Sequence, residues 1–257
     1  MNVQQLEPAV SVSAKPSTPA LLRVEGVSVQ FGALAAISDI NLGMSTGEVL
    51  GLIGPNGAGK TTLVNCISGF LNPTKGSISL NDKPVGKWSP EQARKLGVAR
   101  TFQGGRLFGA LTVLENVEVA GLGLGMSRSQ ARTQAQELLG WVGFRGDLNG
   151  KAVDIPYVDE RRVGMARALI GKPDFLLLDE PAAGMSDDEC AHLGRLIQEI
   201  ASSMSCGVLL IEHNMGLIKE VCDWTLVMSS GCELAVGPPE QTLSDKKVIS
   251  AYLGEEE

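Results

Sequence analysis

The sequence predicts an α/β fold with three parts: a mostly parallel central sheet, an antiparallel β subdomain and a helical lobe. Three observations lead there. The apolar segment Val49-Leu50-Gly51-Leu52-Ile53 runs straight into a glycine-rich loop and then a helical pattern. Two more apolar runs, Leu176-Leu177-Leu178 and Val208-Leu209-Leu210-Ile211, alternate with helical segments, as strands buried on both faces of a parallel sheet do. Between these regions, from about 90 to 165, helical patterns dominate.

The chain has 257 residues, 44% hydrophobic and 20% charged, which is ordinary globular composition with enough length for a substantial core. A formal net charge of −7 argues against a non-specific nucleic-acid binder. No apolar run is long enough to span a bilayer. The five cysteines are scattered without a C-x-x-C pair and read as free thiols serving as small core residues. Two histidines, His192 and His213, leave little material for a His/Cys metal cluster. Residues 1–20 have neither a basic start nor a sustained apolar stretch, so they read as a flexible leader rather than a secretory signal. Residues 21–254 form the expected domain, and 255–257 a solvated acidic tail.

In chain order, residues 22–31 alternate well enough for a strand, and 35–42 read as its partner across Gly32. Residues 76–80 follow the Pro73-Thr74 turn as a further strand, completing the antiparallel piece. Residues 49–53 are a buried strand and 61–68 a helix. Helical patterns cover 90–96, 113–120 and 129–142 within the lobe. Beyond it come a strand at 175–178, a helix at 187–203 and a strand at 208–211. Shorter strands at 224–228 and 233–236 precede the Gly237-Pro238-Pro239 break, and 245–253 make a terminal helix.

Gly54-Pro55-Asn56-Gly57-Ala58-Gly59-Lys60-Thr61-Thr62 fits G-x-x-x-x-G-K-[ST] between a strand and a helix. Glycines let such a loop curl so that backbone N–H groups converge on phosphate oxygens, and the helix N-terminus adds positive charge there. Lys60 supplies a mobile cation for the β/γ-phosphates, and Thr61 a hydroxyl for Mg²⁺. Asp179, closing an apolar strand, stands at the sheet's C-terminal edge, where it can hold Mg²⁺ through water. Glu180 follows at once, suited to orient or deprotonate a water attacking the γ-phosphate. His213 comes just beyond a third strand edge and points to phosphate contact. His192 falls within a helical pattern and reads as structural. Gln103, at the entrance to the lobe, carries an amide able to bind Mg²⁺ or the attacking water. On its chemistry alone, Phe31 either stacks on adenine or belongs to the core.

These residues, in this order, resemble the ATP-binding subunits of ABC transporters. The match runs from about residue 22 to the terminal helix. In that resemblance 54–61 is Walker A, Gln103 the Q-loop, 176–179 Walker B, Glu180 the catalytic glutamate and His213 the switch histidine. Phe31 falls where the family places its adenine-stacking aromatic. Arg100-Thr101-Phe102-Gln103, Glu180-Pro181-Ala182-Ala183-Gly184-Met185, Ile211-Glu212-His213-Asn214-Met215 and Val248-Ile249-Ser250-Ala251-Tyr252-Leu253-Gly254 look like the branched-chain amino acid importer ATPases. The resemblance implies ATP and Mg²⁺ as cofactors and a second ATPase subunit, the same chain or another. It further implies transmembrane permease subunits, an extracytoplasmic substrate-binding protein, and a peripheral place on the cytoplasmic face of the membrane. Lipopolysaccharide-export ATPases are close relatives of that group.

One segment departs from the pattern. The family's signature, Leu-Ser-Gly-Gly-Gln or a variant, aligns with Ile155-Pro156-Tyr157-Val158-Asp159. In the family it reaches across a dimer to the partner's γ-phosphate. Pro156 has no N–H to donate, and Val158 puts a branched side chain where glycine allows close approach. A carboxylate such as Asp159 or Glu160 at roughly 6 Å from a phosphate charge costs about 3 kcal/mol at an effective dielectric of 20. The same acids also suit the first turn of a helix, so the segment is read either as impaired in phosphate contact or as structurally sound and silent. Gly164, where the importer group has Glu, and Ser186, where many relatives have Asp or Asn, depart as well. The sequence therefore points to the ATP-hydrolysing subunit of an importer for branched-chain amino acids or related small amides, with an asymmetric motor. The alternatives are a nucleotide-binding regulatory subunit with little turnover, a lipopolysaccharide-export ATPase, and a soluble ABC ATPase of DNA repair or translation. The last is disfavoured by the absence of coiled-coil insertions, a tandem second domain and basic patches.

Overall fold

The computed structural model describes residues 19–102 and 105–253. The leader up to residue 18, Gln103 and the acidic tail lie outside the described residues. Strands β1 (Leu21–Phe31) and β2 (Leu34–Ser45) form an antiparallel hairpin; Leu22, Val24, Val27 and Val29 of β1 are buried, and irregular register follows Val24. Then come β3 (Val49–Ile53), α1 (Lys60–Ile67), β4 (Lys75–Leu80) and the two-residue β5 (Lys83–Pro84). Next are α2 (Pro90–Lys95), β6 (Val98–Arg100), α3 (Val113–Gly123), α4 (Arg128–Trp141) and α5 (Tyr157–Leu169). The chain ends with β7 (Phe175–Asp179), α6 (Asp187–Met204), β8 (Gly207–Ile211), α7 (Met215–Val221), β9 (Trp224–Ser229), β10 (Cys232–Gly237), α8 (Pro239–Thr242) and α9 (Lys246–Leu253).

Two sheets result, one of four strands in the order β2-β1-β4-β5 and one of six in the order β10-β9-β3-β8-β7-β6. The first is antiparallel throughout. In the second, β3 pairs in parallel with both β8 and β9, β7 with both β8 and β6, and only β10 runs antiparallel. All five residues of β3 and all five of β8 are buried, which explains their unbroken apolar sequence.

Alternate residues of these strands feed two cores. Leu52, Leu177, Leu209 and Leu226 face one packed with α1 and the antiparallel sheet. Ile53, Leu176, Leu178, Leu210 and Val227 face the other, packed with α6 and the helical lobe. Each such side chain withdrawn from water stabilises the fold by about 1.5–3 kcal/mol, so the sheet that carries the loops is anchored from both sides. Capping boxes begin the lobe helices: Thr112 with Glu115 for α3, and Ser127 with Gln130 for α4. Asn116, fully buried, fixes the approach to α3 by accepting from the Phe108 N–H at 2.8 Å and donating to the Phe108 carbonyl at 3.1 Å.

The structure adjusts several expectations. The stretch from 90 is not all lobe, because β6 joins the six-stranded sheet beside β7 and α2 packs against β6. Three residues are too few for a periodic pattern, so sequence alone passes over β6, as it does β5. The short helix α7 was hidden in the same way. Cys66, Cys190, Cys206 and Cys222 are buried thiols in no disulfide, as expected, but Cys232 is exposed on β10. Burial pushes the Cys66 thiol up to about 11 and the Cys222 thiol up to about 12, so both stay protonated.

Candidate functional site

The C-terminal ends of three parallel strands meet above the sheet. Asp179 of β7 is in register with Ile211 of β8, and Leu52 of β3 pairs with Ile211 from the other side. The loop after β3 therefore lies beside the loops after β7 and β8. Its curl depends on glycines. Gly54 and Gly59 have φ of 147° and 98°, and a Cβ on Gly54 would collide with the Met228 carbonyl oxygen. Gly59 then caps α1, which starts at Lys60. The turn after β9 clasps the loop: the Gly231 N–H donates to the Ala58 carbonyl at 3.1 Å, and the Ser38 N–H donates to the Gly231 carbonyl at 2.8 Å. One turn thus joins the phosphate-type loop to the antiparallel sheet.

An open crevice of about 510 Å³ lies over this loop, lined by Asn56, Gly57, Ala58, Gly59, Lys60, Thr61 and Thr62 together with Glu180 and Ile211. The hairpin contributes Leu34, Ala35 and Ala36 to its wall. Phe31, expected here, is not among the lining residues; it pairs with Leu34 across the turn and is 55% exposed. A larger groove of about 760 Å³ lies at the opposite, N-terminal end of the parallel strands, beside Leu50 and Trp224. Its lining carries Glu25, Glu48 and Glu233 against a single arginine, Arg23, which disfavours a polyanion.

Lys60 is buried, and its Nζ donates to the Gly54 carbonyl at 2.6 Å and the Pro55 carbonyl at 3.0 Å. Burial lowers its pKa, and the carboxylates of Glu180 and Asp179 partly offset that. A cation sits here at a cost in hydration, close to two acids, on the floor of a cleft shaped for anions. Asp179 is itself held. Arg100 donates to its Oδ2 at 2.8 Å and to Asn65 Oδ1 of α1 at 2.6 Å. The Arg100 guanidinium lies 5.3 Å from the Phe102 ring centre and 5.9 Å from that of Phe70. The oxygen donors of Thr61 and Asp179 suit a hard cation such as Mg²⁺. No group of three or more His, Cys, Asp or Glu residues able to hold a metal occurs among the described residues.

Glu180 has φ of 48°, a strained conformation for a residue with a side chain, and its N–H donates to the Ile211 carbonyl at 3.0 Å. This aims its carboxylate at His213, whose Nε2 lies 3.2 Å from Glu180 Oε1. The strand edges thus place Lys60, Thr61 and Glu180 on one crevice, Asp179 within charge range of Lys60, and His213 against Glu180. Sequence reasoning passes over Arg100 and Glu212 as functional residues; a charged residue at the end of an apolar strand is the signal that marks both.

Ile155, Pro156, Tyr157, Val158 and Asp159 lie at the start of α5, where Pro156 stands at the N-cap without a side-chain hydrogen bond. The Asp159 charge is not isolated: Arg162 donates to its Oδ1 at 2.7 Å. The full repulsion expected from Asp159 is therefore reduced. Arg161 donates to Tyr157 Oη and to the Pro181 carbonyl, each at 2.8 Å, tying α5 to the loop beyond Glu180. Gly164 packs near Gly105, and Arg167 holds the Gly105 and Arg106 carbonyls, so the segment after Gln103 rests directly on α5. Ser186 caps α6 in a full capping box with Glu189, a role Asp or Asn would also fill.

The ABC transporter family profile matches residues 37–183. The chain belongs to the ABC transporter family. It is 40% identical over 250 residues to the high-affinity branched-chain amino acid transport ATP-binding protein LivG of Escherichia coli (strain K12), covering 91% of this chain and 98% of LivG. It is 38% identical over 250 residues to BraF of Pseudomonas aeruginosa, another high-affinity branched-chain amino acid transport ATP-binding protein, with 91% and 98% covered. With the lipopolysaccharide export system ATP-binding protein LptB of Haemophilus influenzae it shares 30% identity over 237 residues, with 92% and 98% covered. A crystal structure of the ADP conformation of an ATP-binding cassette of an ABC transporter superposes with a TM-score of 0.82 at 27% identity, covering 93% of this chain and all 100% of that one. This ABC protein is an ATP-hydrolysing transporter subunit, of a kind that dimerises and works with transmembrane permease subunits. Among the described residues no helix is long and apolar enough to cross a membrane.

The Arg100–Asp179 pair is buried, with side chains 8% and 15% exposed. Replacing Arg100 by Met strands that carboxylate and is expected to lower unfolding free energy by about 3 kcal/mol. Mg²⁺ with nucleotide should recover part of the loss. Urea unfolding with and without Mg²⁺–nucleotide checks this, and an unchanged midpoint would contradict a structural role for the pair.

Proposed function

We propose that this ATPase subunit energises the import of branched-chain amino acids or related small amides. It acts at the cytoplasmic face of the membrane, in an assembly fed by an extracytoplasmic substrate-binding protein. The observation that carries the reading is its 40% identity to LivG over nearly the whole of both chains, against 30% to LptB. Lipopolysaccharide export is the second reading, supported by that weaker match alone.

In this reading the N–H groups of the loop from Gly54 to Thr62 bind the phosphates and Lys60 turns from its two carbonyls to the β/γ-phosphates. Phe31, outside the crevice lining but 55% exposed and paired with Leu34 of its wall, offers its ring to the adenine. Thr61 and Asp179, with Gln103 as a further ligand, hold Mg²⁺, which when bound neutralises charge on the phosphate oxygens. Arg100 keeps Asp179 from turning away. Glu180 orients the attacking water and takes its proton, and His213, close to the Glu180 carboxylate, steadies that acid while reaching the terminal phosphate.

The signature segment supports an asymmetric motor. Val158 crowds the approach of backbone to phosphate, Pro156 offers neither hydroxyl nor N–H, and Asp159 keeps a partly paired negative charge. The composite site that these residues complete in a partner turns over weakly. The site on this chain's own phosphate loop works if the partner brings a sound signature.

Two measurements test these roles. Lys60→Ala should abolish tight binding of a fluorescent ATP analogue, whereas Glu180→Gln should bind it normally and hydrolyse at least about a hundredfold more slowly; retained turnover in Glu180→Gln would remove its assigned role. The purified chain alone should show only slow, non-cooperative ATPase. Val158→Gly combined with Asp159→Gln should raise it by about tenfold or more, as relief of about 1.4 kcal/mol of crowding and repulsion implies. Brisk cooperative turnover by the unaltered chain would contradict the asymmetry.

A further inference from the structure

Glu212 is 3% exposed, between the last residue of β8 and His213. A buried carboxyl group costs free energy unless its oxygens find hydrogen-bond donors. Here backbone N–H groups meet it from two directions. Oε1 accepts from the Ala182 N–H at 2.6 Å. Oε2 accepts from the His213 N–H at 3.0 Å and, more weakly, the Asn214 N–H at 3.5 Å. Ala182 belongs to the turn that opens with Glu180, since the Ala183 N–H donates to the Glu180 carbonyl at 3.4 Å. His213 and Asn214 lead into α7, which Asn214 caps by accepting from the Leu217 N–H at 3.0 Å. One side chain therefore fastens the loop bearing Glu180 to the loop bearing His213.

We propose that Glu212 is a positioning residue for ATP hydrolysis. It staples these two loops so that Glu180 and His213 keep their facing geometry, 3.2 Å apart, and move as one unit. A carboxylate suits this task because backbone N–H groups meet both of its oxygens, which act as acceptors. A carboxamide of the same size has one accepting oxygen, and its NH₂ would oppose a backbone N–H on the other side. The Glu180–Ile211 hydrogen bond is a second stitch between the loops, so loss of Glu212 loosens the geometry without releasing it. The proposal rests on the assignment of Glu180 and His213 made above.

The test compares Glu212→Gln, His213→Ala and the double variant in the assembled transporter, with amide hydrogen exchange on the full chain. Glu212→Gln should bind an ATP analogue within about twofold of the unaltered protein while kcat falls by about tenfold or more, the effect of one buried donor left unsatisfied. Exchange at residues 182 and 213 should speed up together. Added to His213→Ala, the substitution should cost less than about a further twofold, because both act through one geometry. Multiplicative losses in the double variant, or exchange unchanged at both positions, would overturn the staple. If His213→Ala alone leaves kcat intact, the site assignment falls and the proposal with it. The unaltered chain gives an independent check, since the amides of Ala182 and His213 should exchange through one shared opening; unrelated opening rates would overturn the proposal even were the Gln variant unable to fold.

Discussion

Everything at this site turns on a cation kept in a dry place. Lys60 is buried at the mouth of a glycine loop, within reach of the charges of Asp179 and Glu180, and is satisfied by two carbonyl oxygens. Desolvation disfavours its charge, and the acids restore part of what burial removes. Such an arrangement favours a polyanionic ligand strongly, because phosphate oxygens can replace the carbonyls and add full negative charge. The two sheets, the clasp at Gly231 and the strand register all serve to keep that cation, those acids and that loop within one crevice.

A second layer of buried charge steadies the first. Arg100 holds Asp179 against α1, and Glu212 holds the turn after Glu180 against the loop of His213. Arg161 extends the connection to α5 through the Pro181 carbonyl. Movement of the helical lobe therefore has a direct mechanical path to the turn that carries Glu180.

Much of this was legible in the sequence because it rests on strong local rules. Unbroken apolar runs at 49–53, 175–178 and 208–211 predict strands covered on both faces, and each ends in chemistry-bearing residues. The glycine loop is legible because φ values such as those of Gly54 and Gly59 exclude other residues. What escaped depends on contacts distant in sequence. Arg100 meets Asp179 across 79 residues, and Glu212 meets Ala182 across 30. β6 is too short to show a period. The ion pair of Asp159 with Arg162, three residues on, is an i,i+3 contact within the same helix turn.

The most direct measurement is a structure of the chain crystallised with Mg²⁺ and a non-hydrolysable ATP analogue. The expected map has the phosphates ringed by the N–H groups of residues 56–62, Lys60 turned from the Gly54 and Pro55 carbonyls onto a phosphate oxygen, and the metal between Thr61 and Asp179. Nucleotide seated in the groove beside Trp224, or Lys60 unmoved with the triphosphate elsewhere, would contradict the assignment of this crevice.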